Sequence, residues 1–250
     1  MTFGASNRTD GIVSDFDRDG VVSVPDLLDE GTAARLLEWA DEVVRETDGG
    51  MQHCEQTASG PVLARTEDFV DRHDGLRDLL TSGVVAETLA ALFGEPAILF
   101  KEKINHKLPG GAGYAPHQDA PAYPYGLRHV TMLLAIDDAG PENGCLEFAR
   151  GRHREGLLPA DDAECLASSI ADELAWEAFP AARGGAVFFD SFTPHRSGPN
   201  HSDRPRRALY VTYNAASEGD LRARYYAHKR RHLAEGRVSL IGHFQGRAIR

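Results

Sequence analysis

The chain has 250 residues, 27 Lys and Arg against 38 Asp and Glu, and a formal net charge of -11. A hydrophobic share of 42% predicts an ordinary folded protein, and the acidic excess argues against a phosphate-tracking nucleic-acid surface while leaving room for a basic pocket that holds a small anion. No apolar run reaches membrane-spanning length, MTFGASNRTDG lacks the features of an export signal, and Cys54, Cys145 and Cys165 read as scattered reduced thiols, so the expected setting is the cytoplasm.

Along the chain, residues 17–24 (DRDGVVSV) read as a turn feeding a short strand. Residues 31–47 carry Ala34, Leu36, Leu37, Ala40 and Val43 at helical spacing, which predicts an amphipathic helix. The polar, turn-rich stretch 49–66 reads as a surface loop or lid. A second helix is expected over residues 74–93, with Leu76, Leu79, Leu80, Val84, Leu89 and Leu92 on its apolar face. From Ala97 the texture changes to AILFKEKINHKL, RHVTMLLAID, GCLEFA, GGAVFFD and RRALYVTYN, short β-rich runs parted by Gly, Pro, Asn and Asp. An acidic, partly helical insertion over 158–175, a second candidate lid, and a basic, solvated helix over 221–234 complete the pattern. Helices followed by many strands predict one α+β domain over the whole chain, a jelly-roll or cupin-like barrel resting on N-terminal helices. The expected bounds are about 25–95 for the helical support, about 97–215 for the barrel and about 220–235 for the last helix.

APHQDAPAY places His117 and Asp119 at i and i+2, which in a strand share a face. One imidazole and one carboxylate make two metal ligands, and His195 in SFTPHRSGPN, after the strand GGAVFFD, is the best third. Two His and a carboxylate on one octahedral face suit Fe(II) and leave positions for a cosubstrate and oxygen. The bare pattern also occurs at His53/Glu55, His153/Glu155 and His201/Asp203. Of these, His53 falls in the expected polar loop, His153 after a turn and His201 in a loop that would fix ligands poorly. In RRALYVTYN, alternation puts Arg206, Ala208, Tyr210 and Thr212 on one face. A guanidinium facing a barrel interior needs a partner, and a dicarboxylate cosubstrate supplies one. Ser197, two residues past His195, can share that carboxylate.

These motifs together resemble the phytanoyl-CoA dioxygenase family of iron(II)/2-oxoglutarate oxygenases. The matching pieces are HQD at residues 117–119, NGCLEFARGRHR at 143–154, GGAVFFDSFTPHRSGPN at 184–200 and RRALYVTYN at 206–214. The departure is Arg152, where the family often has Ser. The resemblance implies a double-stranded β-helix core, Fe(II) on His117, Asp119 and His195, and the far 2-oxoglutarate carboxylate on Arg206 and Ser197, with Asn105 as a further cosubstrate contact. It implies O2-dependent hydroxylation, or a related oxidation, of a small-molecule C–H bond. Related iron halogenases carry a small residue in place of the carboxylate ligand, and Asp119 favours hydroxylation over that chemistry. A metal-dependent cupin isomerase or hydrolase and a non-catalytic cupin-like binding protein stand as alternatives. On the substrate side, Lys101, Lys103 and Lys107 alternate along one strand. If they face inward they favour an anionic substrate such as a phosphonate; otherwise they form a solvated lysine face. Lys103, Lys107, Tyr114 and Tyr123 are the candidate substrate contacts.

Overall fold

The computed structural model describes residues 3–46, 51–123, 125, 128–236 and 239–249. Helix α1 (Phe3–Asp19) leads through Gly20 into strand β1 (Val21–Val24). The sequence predicts only a turn ahead of that strand. The helix forms because Ile12, Val13 and Phe16 pack on the main core, and burial outweighs the poor helix propensity of Gly4, Asn7 and Gly11. Gly20 takes φ +73°, and a Cβ there would lie 2.4 Å from His153 Nδ1, so the helix ends in a turn only glycine fits.

Helix α2 (Glu30–Arg45) starts at Asp29, whose carboxylate accepts from the Thr32 backbone N–H at 2.9 Å. It buries Ala33, Leu36, Ala40 and Val43, while Ala34, expected inside, is exposed. Thr47, the expected last residue of this helix, lies outside the described residues. Strands β2 (Met51–Thr57) and β3 (Gly60–Glu67) then pair as a hairpin within the larger sheet. This corrects the expectation of a surface loop or lid over 49–66; Gly49 and Gly50 lie outside the described residues. The expected single helix over 74–93 is two, α3 (Asp74–Thr81) and α4 (Gly83–Phe93). Ser82 between them is extended and Gly83 has φ +56°, so the helical phase resets. Leu76, Leu80, Leu89 and Leu92 are buried as expected, whereas Val84 is 44% exposed and Val85 takes its place inside.

The β region follows with β4 (Ala97–Lys107), β5 (Tyr114–His117), β6 (His129–Ala135) and β7 (Leu146–Phe148). The segment 158–175 is mostly turns with one short helix, α5 (Ser168–Ala171). Then come β8 (Glu177–Phe179), β9 (Ala186–Asp190), β10 (His195–Ser197), β11 (Arg206–Ala215), α6 (Arg222–Ala234) and β12 (Ala248–Ile249).

Two antiparallel sheets result, ordered β1-β9-β6-β11-β4-β3-β2-β12 and β5-β10-β7-β8. Every residue of β6 and β9 is buried, the mark of strands covered on both faces. On the outer face Met132, Leu134, Phe188, Leu209 and Val211 meet the helices. On the inner face Leu133, Val187, Phe189 and Tyr210 meet Leu146 and Phe148 of the smaller sheet. This is the jelly-roll core on helical support that the sequence predicts. No described helix is long and apolar enough to cross a membrane.

Candidate metal centre and its pocket

The pairing of β5 with β10 sets His117 directly opposite His195, and their ring centroids lie 4.1 Å apart. Asp119 joins them by a route other than strand alternation. The strand ends at His117, and Asp119 sits in a bend at φ -78°, ψ -24°, bringing its Oδ1 to 3.8 Å from His117 Nε2. One ligand atom from each of the three residues lies within 4.8 Å of the others.

The hydrogen bonds behind the imidazoles fix their tautomers. His117 Nδ1 donates to Ala115 O at 2.7 Å and His195 Nδ1 to Thr193 O at 3.0 Å. A carbonyl only accepts, so each Nδ1 carries the proton and each Nε2 presents a lone pair, as metal-binding histidines require. Burial pushes His117 down to about 3, and burial also lowers His195; both are neutral near pH 7. Burial alone would raise Asp119, but the positive charge around it, Lys101 first, outweighs that and holds the carboxylate ionised. Two neutral nitrogens and one carboxylate, turned inward together, fit a divalent metal of borderline hardness.

Gln118, between the two ligands, faces away from them. Its amide donates to Gly156 O and Phe192 O at 2.9 and 2.6 Å and accepts from Leu158 N at 2.9 Å. It ties the HQD turn to the loops on both sides.

Arg206 opens β11 on the inner face and is 0% exposed. Nη1 donates to Tyr210 Oη at 3.1 Å, two positions along that face as the alternation predicts. Nε and Nη2 have no hydrogen-bond partner among the described residues. A buried guanidinium with two orphan donors is costly, and a planar carboxylate is the group that satisfies such a fork. Across the ladder Arg206 pairs with Lys107, whose Nζ donates to Ser197 Oγ at 2.9 Å and Gly198 O at 2.5 Å. Burial and Arg206 lower Lys107 to about 6. Asn105, on the same face, is buried with its Oδ1 unpartnered. Lys107, expected among substrate contacts, stands beside Arg206 and Ser197.

Lys101 and Lys103 line an inner cavity with Asp119, so this strand face is the barrel interior and not a solvated lysine stripe. Tyr123 lies under Lys101, whose Nζ is 4.5 Å from the ring centroid. Tyr114 stands in the wall of an outer pocket of about 450 Å³. Its ring packs on His243 and Phe244.

Residues 16–208 match the family described as phytanoyl-CoA dioxygenase. The chain belongs to that family. A methylphosphonate hydroxylase of Gimesia maris is 46% identical over 250 residues, covering 96% of each chain. A 2-aminoethylphosphonate dioxygenase from an uncultured bacterium is 38% identical over 218 residues, covering 84% of this chain and 83% of that one. Among solved structures, the epimerase SnoN in complex with Fe3+, alpha ketoglutarate and nogalamycin RO superposes with a TM-score of 0.75 at 26% identity, over 84% of this chain and 85% of that one.

Within this phytanoyl-CoA dioxygenase fold, several pocket residues lie in segments whose sequence reads as solvent-facing. Arg65 and Glu67 of β3 face inward, Arg65 Nη1 donating to Glu67 Oε1 at 3.3 Å. Lys229 of α6 donates to the same oxygen at 3.1 Å and is 3% exposed. The expected solvated helix thus buries Tyr225, Tyr226 and Lys229 against the site. His53, read as a loop residue, is buried on β2 with Nε2 3.7 Å from Glu67. His243 stacks on His117 at 4.2 Å. The segment 158–175 lies against the ligand strand, Cys165 bridging to His117 and Leu166 N donating to Pro116 O at 2.8 Å. The i, i+2 charges of ARTE are the one signal that pointed to Arg65 and Glu67.

Proposed function

We propose that this chain is an Fe(II)- and 2-oxoglutarate-dependent dioxygenase that oxidises a C–H bond of a small anionic metabolite, a phosphonate first among them. It acts as one catalytic domain over residues 1–250 in the cytoplasm, where its three free thiols suit a reducing environment. The observation that carries the reading is the pairing of two things inside one barrel, from its two facing sheets. Three ligands present a lone-pair face, and Arg206 holds two unsatisfied donors. Its relatedness to two phosphonate-oxidising enzymes supports the substrate class.

His117, Asp119 and His195 would hold the metal, and Arg206 with Ser197 the far carboxylate of the cosubstrate, with Asn105 beside them. Bound there, iron and 2-oxoglutarate supply the oxidising power from O2, with decarboxylation to succinate and carbon dioxide. The chain supplies orientation and a dry site. Ala115 O and Thr193 O lock the imidazoles. Tyr210 Oη accepts from Arg206 and aims its remaining donors. Phe148 and Phe189, with ring centroids 5.7 and 4.8 Å from that of His195, keep water from that side.

The test is succinate release with Fe(II), 2-oxoglutarate and O2, with and without methylphosphonate. The expected result is turnover stimulated by methylphosphonate and abolished in Asp119→Ala. Turnover unaffected by Asp119→Ala would contradict the assignment of the centre.

A further inference from the structure

The inner cavity beside Asp119 is small, about 20 Å³, and its charges do not balance. Arg65, Lys101, Lys103 and Lys229 face it, against Glu67 and Asp119 alone. Glu67 is already held by Arg65 and Lys229, and Asp119 is a candidate metal ligand. Lys101 and Lys103 are left over. Neither makes a carboxylate ion pair or a hydrogen bond among the described residues; each Nζ instead lies over an aromatic ring, Lys101 over Tyr123 at 4.5 Å and Lys103 over Tyr210 at 5.3 Å. With each side chain in its usual charge state the excess is two positive charges, four cations less two carboxylates; burial pushes Lys101 down to about 8 and Lys103 well below its ordinary value, so an arriving dianion favours their charged forms. A divalent metal and a dianionic cosubstrate cancel each other, so the excess persists in the loaded site.

We propose that Lys101 and Lys103, with Arg65 where the inner cavity meets the outer pocket, form the receptor for a compact dianionic phosphonate head, and that the same charges select against a substrate bearing an ammonium group. This rests on the dioxygenase reading above and adds to it a selectivity. Two lysines with free donors beside a candidate metal ligand pair best with a group that brings two charges and several acceptor oxygens. A phosphonate dianion does so; a sulfonate of the same shape brings one charge. An ammonium-bearing tail finds no unpaired carboxylate in the inner cavity and meets four cations, a like-charge arrangement that such a desolvated site penalises strongly. The rest of the lining, Ala122, Tyr225, Ser239, Leu240, Ile241 and His243, offers no further carboxylate. Arg65, Leu240 and Ile241 also line the outer pocket, which gives the anion its route inward.

The experiment uses the full chain loaded anaerobically with Fe(II) and 2-oxoglutarate. It is titrated with methylphosphonate, methanesulfonate and 2-aminoethylphosphonate, and binding is read by calorimetry. Methylphosphonate should bind tightest, with methanesulfonate weaker by roughly tenfold or more for its missing charge and 2-aminoethylphosphonate by about as much for its like charge. Lys101→Met and Lys103→Met should each weaken methylphosphonate by about 10- to 100-fold on the same grounds, while the visible band of the iron–2-oxoglutarate chelate still forms in Lys103→Met. 2-Aminoethylphosphonate binding as tightly as methylphosphonate, or variants that bind methylphosphonate like the wild type, would overturn the proposal. The ligand comparison needs no variant, so it stands even if a lysine substitution impairs folding. Failure of the chelate band in the wild type would instead sink the dioxygenase reading. Calorimetry of methylphosphonate against the metal-free protein would then still read the lysines alone.

Discussion

Two buried arginines sit on the inner face of the same sheet and meet opposite fates. Arg65 has a counterion within the chain: Glu67 accepts from it and from Lys229, and Tyr114 Oη accepts at 3.5 Å. Among the described residues Arg206 has only the Tyr210 hydroxyl and keeps two donors without partners. The difference separates framework from receptor. A cation neutralised inside the fold holds the wall of the pocket in place, whereas one left unsatisfied marks where an anion from outside completes the structure. Strand β4 joins the two ends, with Lys107 beside Arg206 and Lys101 and Lys103 on the side of Arg65 and Glu67.

Breaking the framework end should cost the most. Glu67→Leu strips Arg65 and Lys229 of their shared carboxylate, and leaving buried cations unpaired is expected to destabilise the fold by about 3–5 kcal/mol in urea unfolding. A change near zero would mean that Glu67 does not neutralise this wall. At the receptor end, Arg206→Met should leave stability unchanged or improved, because it removes two orphan donors. It should weaken 2-oxoglutarate by about 100-fold, since a bidentate charged pair worth roughly 2–3 kcal/mol can no longer form, with methylphosphonate affinity nearly unchanged. Gln118→Ala touches neither end but loosens the turn between them. It should cost about 1–2 kcal/mol of stability for its missing hydrogen bonds and lower metal affinity while leaving Arg206 chemistry intact; unaltered metal affinity would remove its positioning role. The smallest effect is a proton. Lys107 titrates at about 6, so at pH 8 it is mostly neutral, and an anion arriving beside it favours the charged form and draws a proton in. Calorimetry in buffers of different ionisation enthalpy should show greater proton uptake on 2-oxoglutarate binding in the wild type than in Lys107→Met at pH 8, with the difference gone at pH 5, where Lys107 is already charged.

The same contrast explains what the sequence made legible. His117 and Asp119 were legible from their spacing in APHQDAPAY, His195 and Ser197 from their place just after the apolar run GGAVFFD, and Arg206 from the alternation of RRALYVTYN. The hairpin β2–β3 escaped because its inner face carries His53, Arg65 and Glu67 instead of aliphatic side chains. A strand lining an ionic pocket lacks the hydrophobic period and imitates a polar loop. Helix α6 misled for a related reason: its inward side is Tyr225, Tyr226 and Lys229, and a buried lysine looks like a solvated one until its partner Glu67 is known. The two-helix break at Ser82 and the helix α1 depended on tertiary packing that no local pattern records. Even at HQD the route differs from strand alternation, since Asp119 reaches the candidate centre through a bend beyond the strand end.

The central claim is that His117, Asp119 and His195 share one ferrous ion with a cosubstrate gripped by Arg206. Anaerobic addition of Fe(II) and then 2-oxoglutarate, followed in the visible spectrum, tests it most directly. The account predicts the weak charge-transfer band of the chelate in the wild type, no band in Asp119→Ala, and a band in Arg206→Met only at far higher 2-oxoglutarate. A well-folded wild type that gives no band, or an undiminished band in Asp119→Ala, would contradict it.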